Sequence, residues 1–262
     1  MSRKAQKEIK RLQRSKKEDF PRSQKFLNFL SPAKAKAWTE EIIKQHEYED
    51  LINDRHLPPE LTIDQLKALT SITHHNGNRF LGCQHNSILI ILGTFFKDWM
   101  ECKITPKHLK NAKRHPEIAI TPSKSSWFSV AEDYIEFCKA NSVENLTVSR
   151  HLIALRGKEK EELPLLSTNQ GGNQCSHLCD TYGCLRTKHL RIETRELNMS
   201  RRYCFGIILQ IYRNSAGVDT VTNIKPCKHG QDQERSMDEQ LDNSCRKIYV
   251  VLVTDKDLFK YK

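Results

Sequence analysis

The middle of the chain holds three residues spaced as ligands of a structural zinc ion. Cys179, Cys184 and His189 follow one another at intervals of four intervening residues. Structural zinc takes four ligands in a tetrahedron, mostly cysteine thiolates with one or two histidines. Residues 180–183 suit the tight turn that such a loop requires. The spacing therefore predicts a zinc-binding loop and disfavours ordinary buried cysteines and histidine.

The fourth ligand of this site must come from another part of the chain. We prefer Cys138, because an upstream strand carrying it would pass beside the loop. Cys175 is closer in sequence, but it directly precedes the strand expected to carry the active site. Cys175 therefore stays the alternative.

A second group of ligand types follows the first. Cys227 and His229 are separated by one residue, and Cys204 and Cys245 flank them at longer intervals. Four ligands would stabilise a C-terminal region that offers only a weak core, because metal binding adds directly to folding free energy. We predict a second structural zinc site there.

The chain has nine cysteines, and their number and context argue against a disulfide framework. The count is odd, cysteine and histidine alternate, and the charged N-terminus from Arg3 onward does not resemble a signal peptide. An intracellular, reducing compartment is expected. Cys83, His85 and Cys102 fall outside both groups, and they fit buried thiols and a surface histidine better than a third metal site.

Two polar residues flank the predicted zinc loop without being needed for it. His177 precedes Cys179 by two residues, and Asn198 follows His189 by nine. A neutral histidine beside a phosphate can take a proton from water. A single amide oxygen suits a hard cation such as Mg²⁺, which stabilises charge on a scissile phosphate. Taken alone, His177 would cap a turn and Asn198 would be an ordinary surface residue.

A helix is predicted over residues 193–202, which are mostly good helix formers. Asn198, Arg201 and Arg202 would share one face of this helix, because residues three and four apart are neighbours. That face would present a metal ligand and two phosphate-binding guanidinium groups together.

The charge of the chain points to a polyanionic partner, most simply nucleic acid. The formal net charge is +11, and residues 1–36 carry twelve Lys or Arg against three Asp or Glu. This arm fits a nucleic-acid-ordered segment, a nuclear-import signal or a solvated tail. Lys103, Lys107 and Lys110 fit a phosphate-facing surface and a solvated loop equally well.

The pattern of apolar residues predicts a mixture of helices and strands. The longest apolar run, Ile88–Phe96, is too short to span a bilayer and indicates a buried strand. Thr62 with Gln65 predicts a helix start. The other expected segments are a helix over 32–50, strands over 79–96, helix or strand over 127–137, a strand or strand-to-helix over 146–155, strands over 205–212 and 248–253, and a mobile polar loop over 230–244.

Residues 176–204 read SHLCDTYGCLRTKHLRIETRELNMSRRYC. This segment resembles the His-Cys box homing endonucleases, a branch of the ββα-metal or His-Me finger nucleases. The resemblance implies that His177 activates the attacking water and that Asn198 binds one catalytic metal ion, Mg²⁺. It also implies two structural Zn²⁺ sites. A basic residue from an upstream sheet acts near the phosphate in that family, and Arg150 and Lys139 are the candidates, with Arg150 preferred.

The resemblance further implies site-specific cleavage of double-stranded DNA, a homodimer on a near-palindromic site and short 3′ overhangs. The coding element would be a mobile group I intron in ribosomal DNA, which places the protein in the nucleus. No membrane partner is expected. The alternative is a zinc-stabilised DNA-binding protein without catalysis, for which the joint presence of His177 and Asn198 would have no purpose.

We therefore predict a loop-rich α+β fold with mixed antiparallel sheets, a zinc-stabilised ββα-metal motif and a helical, basic N-terminal extension. The extension would cover residues 1–60 and the endonuclease domain residues 61–262. Within that domain we expect three parts: a DNA-binding sheet region over about 79–155, the active-site motif over 170–204, and the second zinc region with a C-terminal strand over 204–262.

Overall fold

The structure is a computed structural model. It describes residues 22–53, 56–59, 61–65, 99–105, 117–120, 128–142, 146–159, 161–167, 171–181, 183–217 and 219–254. The basic arm before residue 22, the strands predicted over 79–96, and Lys107 and Lys110 lie outside the described residues.

The predicted α+β class is confirmed. The helices are α1 (22–29), α2 (Pro32–Gln45), α3 (Phe128–Ala140), α4 (Arg150–Lys158), α5 (Arg195–Arg202) and α6 (Met237–Asn243), with a 3₁₀ turn over Thr187–His189. The strands are β1 (Glu49–Ile52), β2 (Glu101–Ile104), β3 (Glu117–Ile120), β4 (Leu146–Ser149), β5 (Asn173–His177), β6 (Leu190–Thr194), β7 (Ile207–Arg213), β8 (Asp219–Lys225) and β9 (Ile248–Thr254).

The strands form small sheets. Antiparallel pairs join β1 to β2, β3 to β4, and β5 to β6, and a three-stranded sheet has the order β8-β7-β9 with β7 parallel to β9. The segment over 127–137, left open between helix and strand, is the helix α3, and 146–155 runs from strand into helix. No helix among the described residues is long and apolar enough to cross a membrane.

The larger core lies where α1, α2, α3 and α4 meet. Phe26, Trp38 and Tyr134 are fully buried there, with ring centroids 5.6 and 5.8 Å from that of Phe26. The helix α2 starts sharply because the Ser31 hydroxyl accepts the Lys34 N–H and a proline occupies the first turn. This core joins α1 and α2 to α3 and α4, so it spans the boundary drawn at residue 60.

The smaller core lies under the three-stranded sheet. Along β7 the buried residues Ile207, Leu209 and Ile211 alternate with less buried ones, as in a strand with one face packed. The helix α6 covers this face and is fixed by a capping box between Ser236 and Glu239. The loop predicted over 230–244 is therefore wrong for Met237–Asn243, because this cap stabilises a helix there.

Candidate active site and metal centres

A continuous unit of two antiparallel strands and a helix carries the predicted active-site residues. Its strands are β5 and β6, with His177 paired to Leu190 and Asn173 paired to Thr194. Thr194 ends β6 and caps α5, because its hydroxyl accepts the Leu197 N–H. The helix α5 therefore starts beside the start of β5, and the ββα unit expected from the sequence is present.

Four side chains meet beneath the loop between β5 and β6. They are Cys102, Cys179, Cys184 and His189, all buried, and their ligand atoms lie within 4.8 Å of one another. Nδ1 of His189 is 3.8 Å from the Cys102 sulfur and 3.7 Å from the Cys184 sulfur. Three thiols and one imidazole at these distances fit a tetrahedral zinc ion. We call this group the first metal centre.

Cys102 therefore completes the first metal centre, which corrects the sequence-based choice of Cys138. Cys138 lies on α3 in the larger core, and burial there raises the pKa of its thiol. Cys175, the alternative, packs against the same core from β5, and burial raises the pKa of its thiol to about 12. Neither thiol is among the four ligand atoms that lie within 4.8 Å of one another.

The strand β2 brings Cys102 to the loop. Its inward positions, Cys102 and Ile104, are both buried, and the carbonyl of Lys103 between them accepts the Leu185 N–H at 2.9 Å. Hydrogen bonds from the Cys179 and Cys184 thiols lower the pKa of Cys102 to about 4. The centre thus holds a thiolate, the form that binds metal.

A second metal centre lies against the three-stranded sheet. Cys204, Cys227, His229 and Cys245 place their ligand atoms within 4.8 Å of one another. This is the set that the sequence predicted. A hydrogen bond from Cys245 lowers the pKa of Cys227 to about 3, so a thiolate is present here too. The donor set again fits zinc.

His177 ends β5 immediately before the first metal centre. Its ring lies edge-on to the ring of His151 on α4, with centroids 4.4 Å apart. Its Nε2 is buried and has no hydrogen-bond partner among the described residues. Burial lowers the pKa of His177, which outweighs the opposite effects of Cys179 and of a hydrogen bond with the Cys184 backbone. The ring is therefore neutral near pH 7.

The two ring nitrogens of His177 differ in their surroundings. The ring interacts with the Cys184 backbone, and its Nε2 has no hydrogen-bond partner among the described residues. Nε2 is therefore the ring nitrogen that remains available to a substrate. A buried acceptor without a partner is costly and is typical of a functional atom.

Asn198 lies on α5, half-buried against β5. Its Nδ2 donates to Gln174 Oε1 at 3.0 Å, which turns the amide oxygen away from Gln174. No described hydrogen bond or ring contact joins Asn198 to His177. Asn198 contacts β5 at Gln174, which lies three residues before His177. A general base and a metal ligand act from different sides of a phosphate, so direct contact between them is not required.

Arg201 does not face a ligand as the helix pattern predicted. It is 6% exposed, and its Nε lies 2.8 and 2.9 Å from the carboxylate oxygens of Glu193. Its Nη1 donates to the Asn243 carbonyl and to the Cys245 sulfur. The assignment of Arg201 to DNA binding is corrected, because its guanidinium is used inside the protein. Arg202, its neighbour, is exposed.

Two other predicted basic residues, Arg150 and Lys103, also have protein partners. Arg150 donates from Nη1 to the Tyr48 hydroxyl at 3.0 Å, and the residue next to it, His151, is the one that touches His177. Lys103 forms an ion pair with Asp50 at 2.8 Å. A lysine held this way is not presented to a phosphate.

Sequence reasoning missed five residues around these sites. The sequence interpretation treats Cys102 as a buried thiol and assigns no role to His151. Gln174, Glu193 and Ser200 hold the ββα unit through side-chain contacts. Their signal in the sequence was their position inside the motif over 176–204 or directly beside it.

Comparison with known proteins gives one match. Residues 126–251 match a family model described as the zinc-binding loop region of homing endonuclease. The matched segment contains the ββα unit and every ligand of both metal centres except Cys102. No curated protein and no solved structure matches the chain. Over residues 126–251 the chain is thus similar to the zinc-binding loop region of homing endonucleases, which supports its resemblance to the His-Cys box enzymes.

Proposed function

We propose that the protein is a site-specific endonuclease that hydrolyses phosphodiester bonds in double-stranded DNA. The observation that carries the proposal is the state of His177. Burial lowers the pKa of its ring, and its buried Nε2 has no hydrogen-bond partner among the described residues. A structural histidine would have both nitrogens satisfied, whereas a general base needs one kept for its substrate.

The reaction assigned to the site is attack of water on a phosphodiester. His177 Nε2 takes the proton of the attacking water, and the bond from phosphorus to the 3′ oxygen breaks. The Asn198 amide oxygen, oriented by Gln174, is the protein ligand for a divalent cation. Such a cation, Mg²⁺ in our proposal, supplies charge stabilisation at the phosphate and the departing oxygen.

The DNA substrate is supported by the family and by charge. The chain carries a formal net charge of +11, and the exposed Arg202 lies on the same helix as Asn198. Contacts of this kind release counterions, so DNA binding should weaken steeply as salt rises. A homodimer on a near-palindromic site, intron homing and nuclear localisation belong to the same proposal and rest on the resemblance.

The test begins with selection of cleaved sites from a random DNA library incubated with the protein and Mg²⁺. The enriched site is then placed in a supercoiled plasmid. We expect His177→Ala and Asn198→Ala to bind this plasmid and to cut it at least about 10²-fold more slowly, as expected for loss of a general base or metal ligand. If the wild-type protein enriches DNA sites that it binds but none that it cuts, the non-catalytic DNA-binding alternative is correct.

Two matched measurements separate chemistry from folding. Added imidazole should restore part of the cleavage by His177→Ala, because it replaces the missing base. Asn198→Asp keeps an oxygen ligand and should cut faster than Asn198→Ala. Normal cleavage by both alanine variants would show that these two residues are not the catalytic pair.

A further inference from the structure

The second metal centre touches the helix that carries Asn198. Two consecutive residues of α5, Ser200 and Arg201, each contact one ligand of this centre. The ligands are His229 and Cys245, which lie far from α5 in sequence. A structural centre that only stabilised the C-terminal sheet would need no such contacts with the active-site helix.

The Ser200 contact fixes which nitrogen of His229 faces the metal position. The Ser200 hydroxyl donates its one proton to the Leu197 carbonyl at 2.8 Å, so it accepts from His229 Nε2 at 2.7 Å. His229 Nδ1 then carries the lone pair, and it lies 3.8 Å from the Cys227 sulfur and 3.6 Å from the Cys245 sulfur. Ser200 thus orients a ligand in the way that outer partners orient metal-bound histidines.

The Arg201 contact ties the same helix to a second ligand. Arg201 is buried, pairs with Glu193 through Nε and donates from Nη1 to the Cys245 sulfur at 3.6 Å. Hydrogen bonds from a guanidinium to a thiolate are charge-assisted and therefore stronger than neutral ones. Because α5 has only eight residues, its position depends on such contacts more than on its own stability.

We propose that the loaded second metal centre positions α5, and with it the Asn198 amide, through Ser200 and Arg201. Ser200 and Arg201 are positioning residues, since neither reaches the reacting phosphate. The link between the centre and the helix stands on these contacts alone. Only the consequence for catalysis rests on the proposed function, in which Asn198 holds the catalytic cation.

Ser200→Ala in the full-length, zinc-loaded protein tests the link without DNA. Removing an outer partner of a metal-bound histidine lowers metal affinity by about 10–100-fold. We expect a chromogenic chelator to remove one of the two zinc ions from this variant at a lower chelator concentration than the wild-type protein requires. Amide hydrogen exchange over residues 195–202 should also become faster. Ser200→Thr keeps the hydroxyl and should restore both properties.

Thr194→Ala is the matched control, because it loosens α5 from its other end and leaves the Ser200 contact in place. It should speed exchange in α5 and still retain both zinc ions. Zinc affinity that is unchanged in Ser200→Ala, or that falls equally in Thr194→Ala, would overturn the link.

Binding of Mn²⁺, followed by its electron paramagnetic resonance signal, tests the effect on Asn198. Ser200→Ala should weaken Mn²⁺ binding, and Ser200→Thr should restore it. Unchanged Mn²⁺ affinity in Ser200→Ala would overturn the positioning role. A wild-type protein that cuts no DNA would refute the proposed function, whereas the zinc and exchange measurements would still decide the link.

Discussion

The two metal centres contact different parts of the ββα unit. The first centre adjoins His177: Cys179 follows it by two residues, and the Cys184 backbone raises the pKa of its ring against the larger effect of burial. The second centre contacts α5, which carries Asn198. The predicted base and the element that carries the predicted metal ligand thus each adjoin a different Cys/His group.

The centres also differ in how they are built. The first joins Cys102 on β2 to a loop about eighty residues further along, and all four of its ligands are buried. The second uses ligands from residues 204–245, and His229 is half-buried. A metal ion that closes a long loop stabilises a fold more than one that closes a short loop, so the first should matter more for the fold as a whole.

The centres are joined to each other by short backbone and ionic contacts. The Arg246 N–H, next to Cys245, donates to the Leu178 carbonyl at 2.7 Å. Lys247 pairs with Asp180 at 3.0 Å. These contacts hold the two centres next to each other. One centre can then be perturbed by substitution while the zinc content of the other is measured.

The largest expected effect comes from removing one ligand of each centre. Structural zinc supplies about 10–16 kcal/mol of folding free energy, which is comparable to the stability of a whole domain. The Cys184→Ala variant should therefore fail to form the ββα unit, and its circular dichroism spectrum should lose the signal of that folded unit. Cys227→Ala should keep the α1–α4 core and become sensitive to protease between residues 204 and 254. Equal protease sensitivity throughout both variants would break the comparison.

The next effect concerns the buried ion pair between α5 and β6. Arg201→Met should lower the free energy of unfolding by about 3–5 kcal/mol, because it leaves the Glu193 carboxylate buried without its partner. The double variant with Glu193→Leu should regain most of that loss. Urea unfolding with zinc present measures both.

Arg202→Met is the control for this prediction, since it removes the neighbouring but exposed arginine. Its effect should stay within about 0.5 kcal/mol. A similar loss in both arginine variants would mean that α5 is sensitive to charge in general and that the ion pair contributes nothing specific.

How much of this site the sequence predicts depends on the distance between partners along the chain. Cys179, Cys184 and His189 are recognisable because a local loop brings them together whatever the rest of the fold does. Cys102 is not recognisable, since only the pairing of β1 with β2 and the contact from Leu185 bring it to the loop. The fourth ligand is a tertiary property.

The same limit explains the error at Arg201. Helical spacing correctly places Asn198, Arg201 and Arg202 near one another, but it cannot say which neighbour meets another element. Arg201 points inward because its guanidinium donates to the Glu193 carboxylate on β6 and to the Cys245 sulfur. The helix α6, by contrast, was predictable, because Ser236 and Glu239 form a capping box that is visible in the sequence.

A smaller effect is expected at Gly206, which lies where the second centre meets β9. Its φ is +85°, and a Cβ there would lie 1.9 Å from the Lys247 carbonyl oxygen. Gly217 also has positive φ, +77°, but open space around it. Gly206→Ala should cost about 1–3 kcal/mol more than Gly217→Ala, because both share the backbone strain and only the first overpacks.

The readout for the glycine pair is thermal unfolding together with zinc content. Gly206→Ala should also loosen the second centre, since the Gly206 N–H donates to the Cys204 sulfur at 3.4 Å. The first centre should keep its zinc in both variants. Loss of zinc from the first centre in Gly206→Ala would mean that the two centres form one cooperative unit.

The smallest effects come from single hydrogen bonds that support each centre from outside. Asn53 Nδ2 donates to Thr181 Oγ1 at 2.9 Å, within the loop of the first centre. Ser236 caps α6, which leads into Cys245 of the second centre. Asn53→Ala and Ser236→Ala should each lower the free energy of unfolding by about 1 kcal/mol. Since the stability losses match, chelator competition separates the variants: Asn53→Ala should release zinc from the first centre more readily and Ser236→Ala from the second. The same order of release in both would show that stability, and not local support, controls how firmly each centre holds its metal.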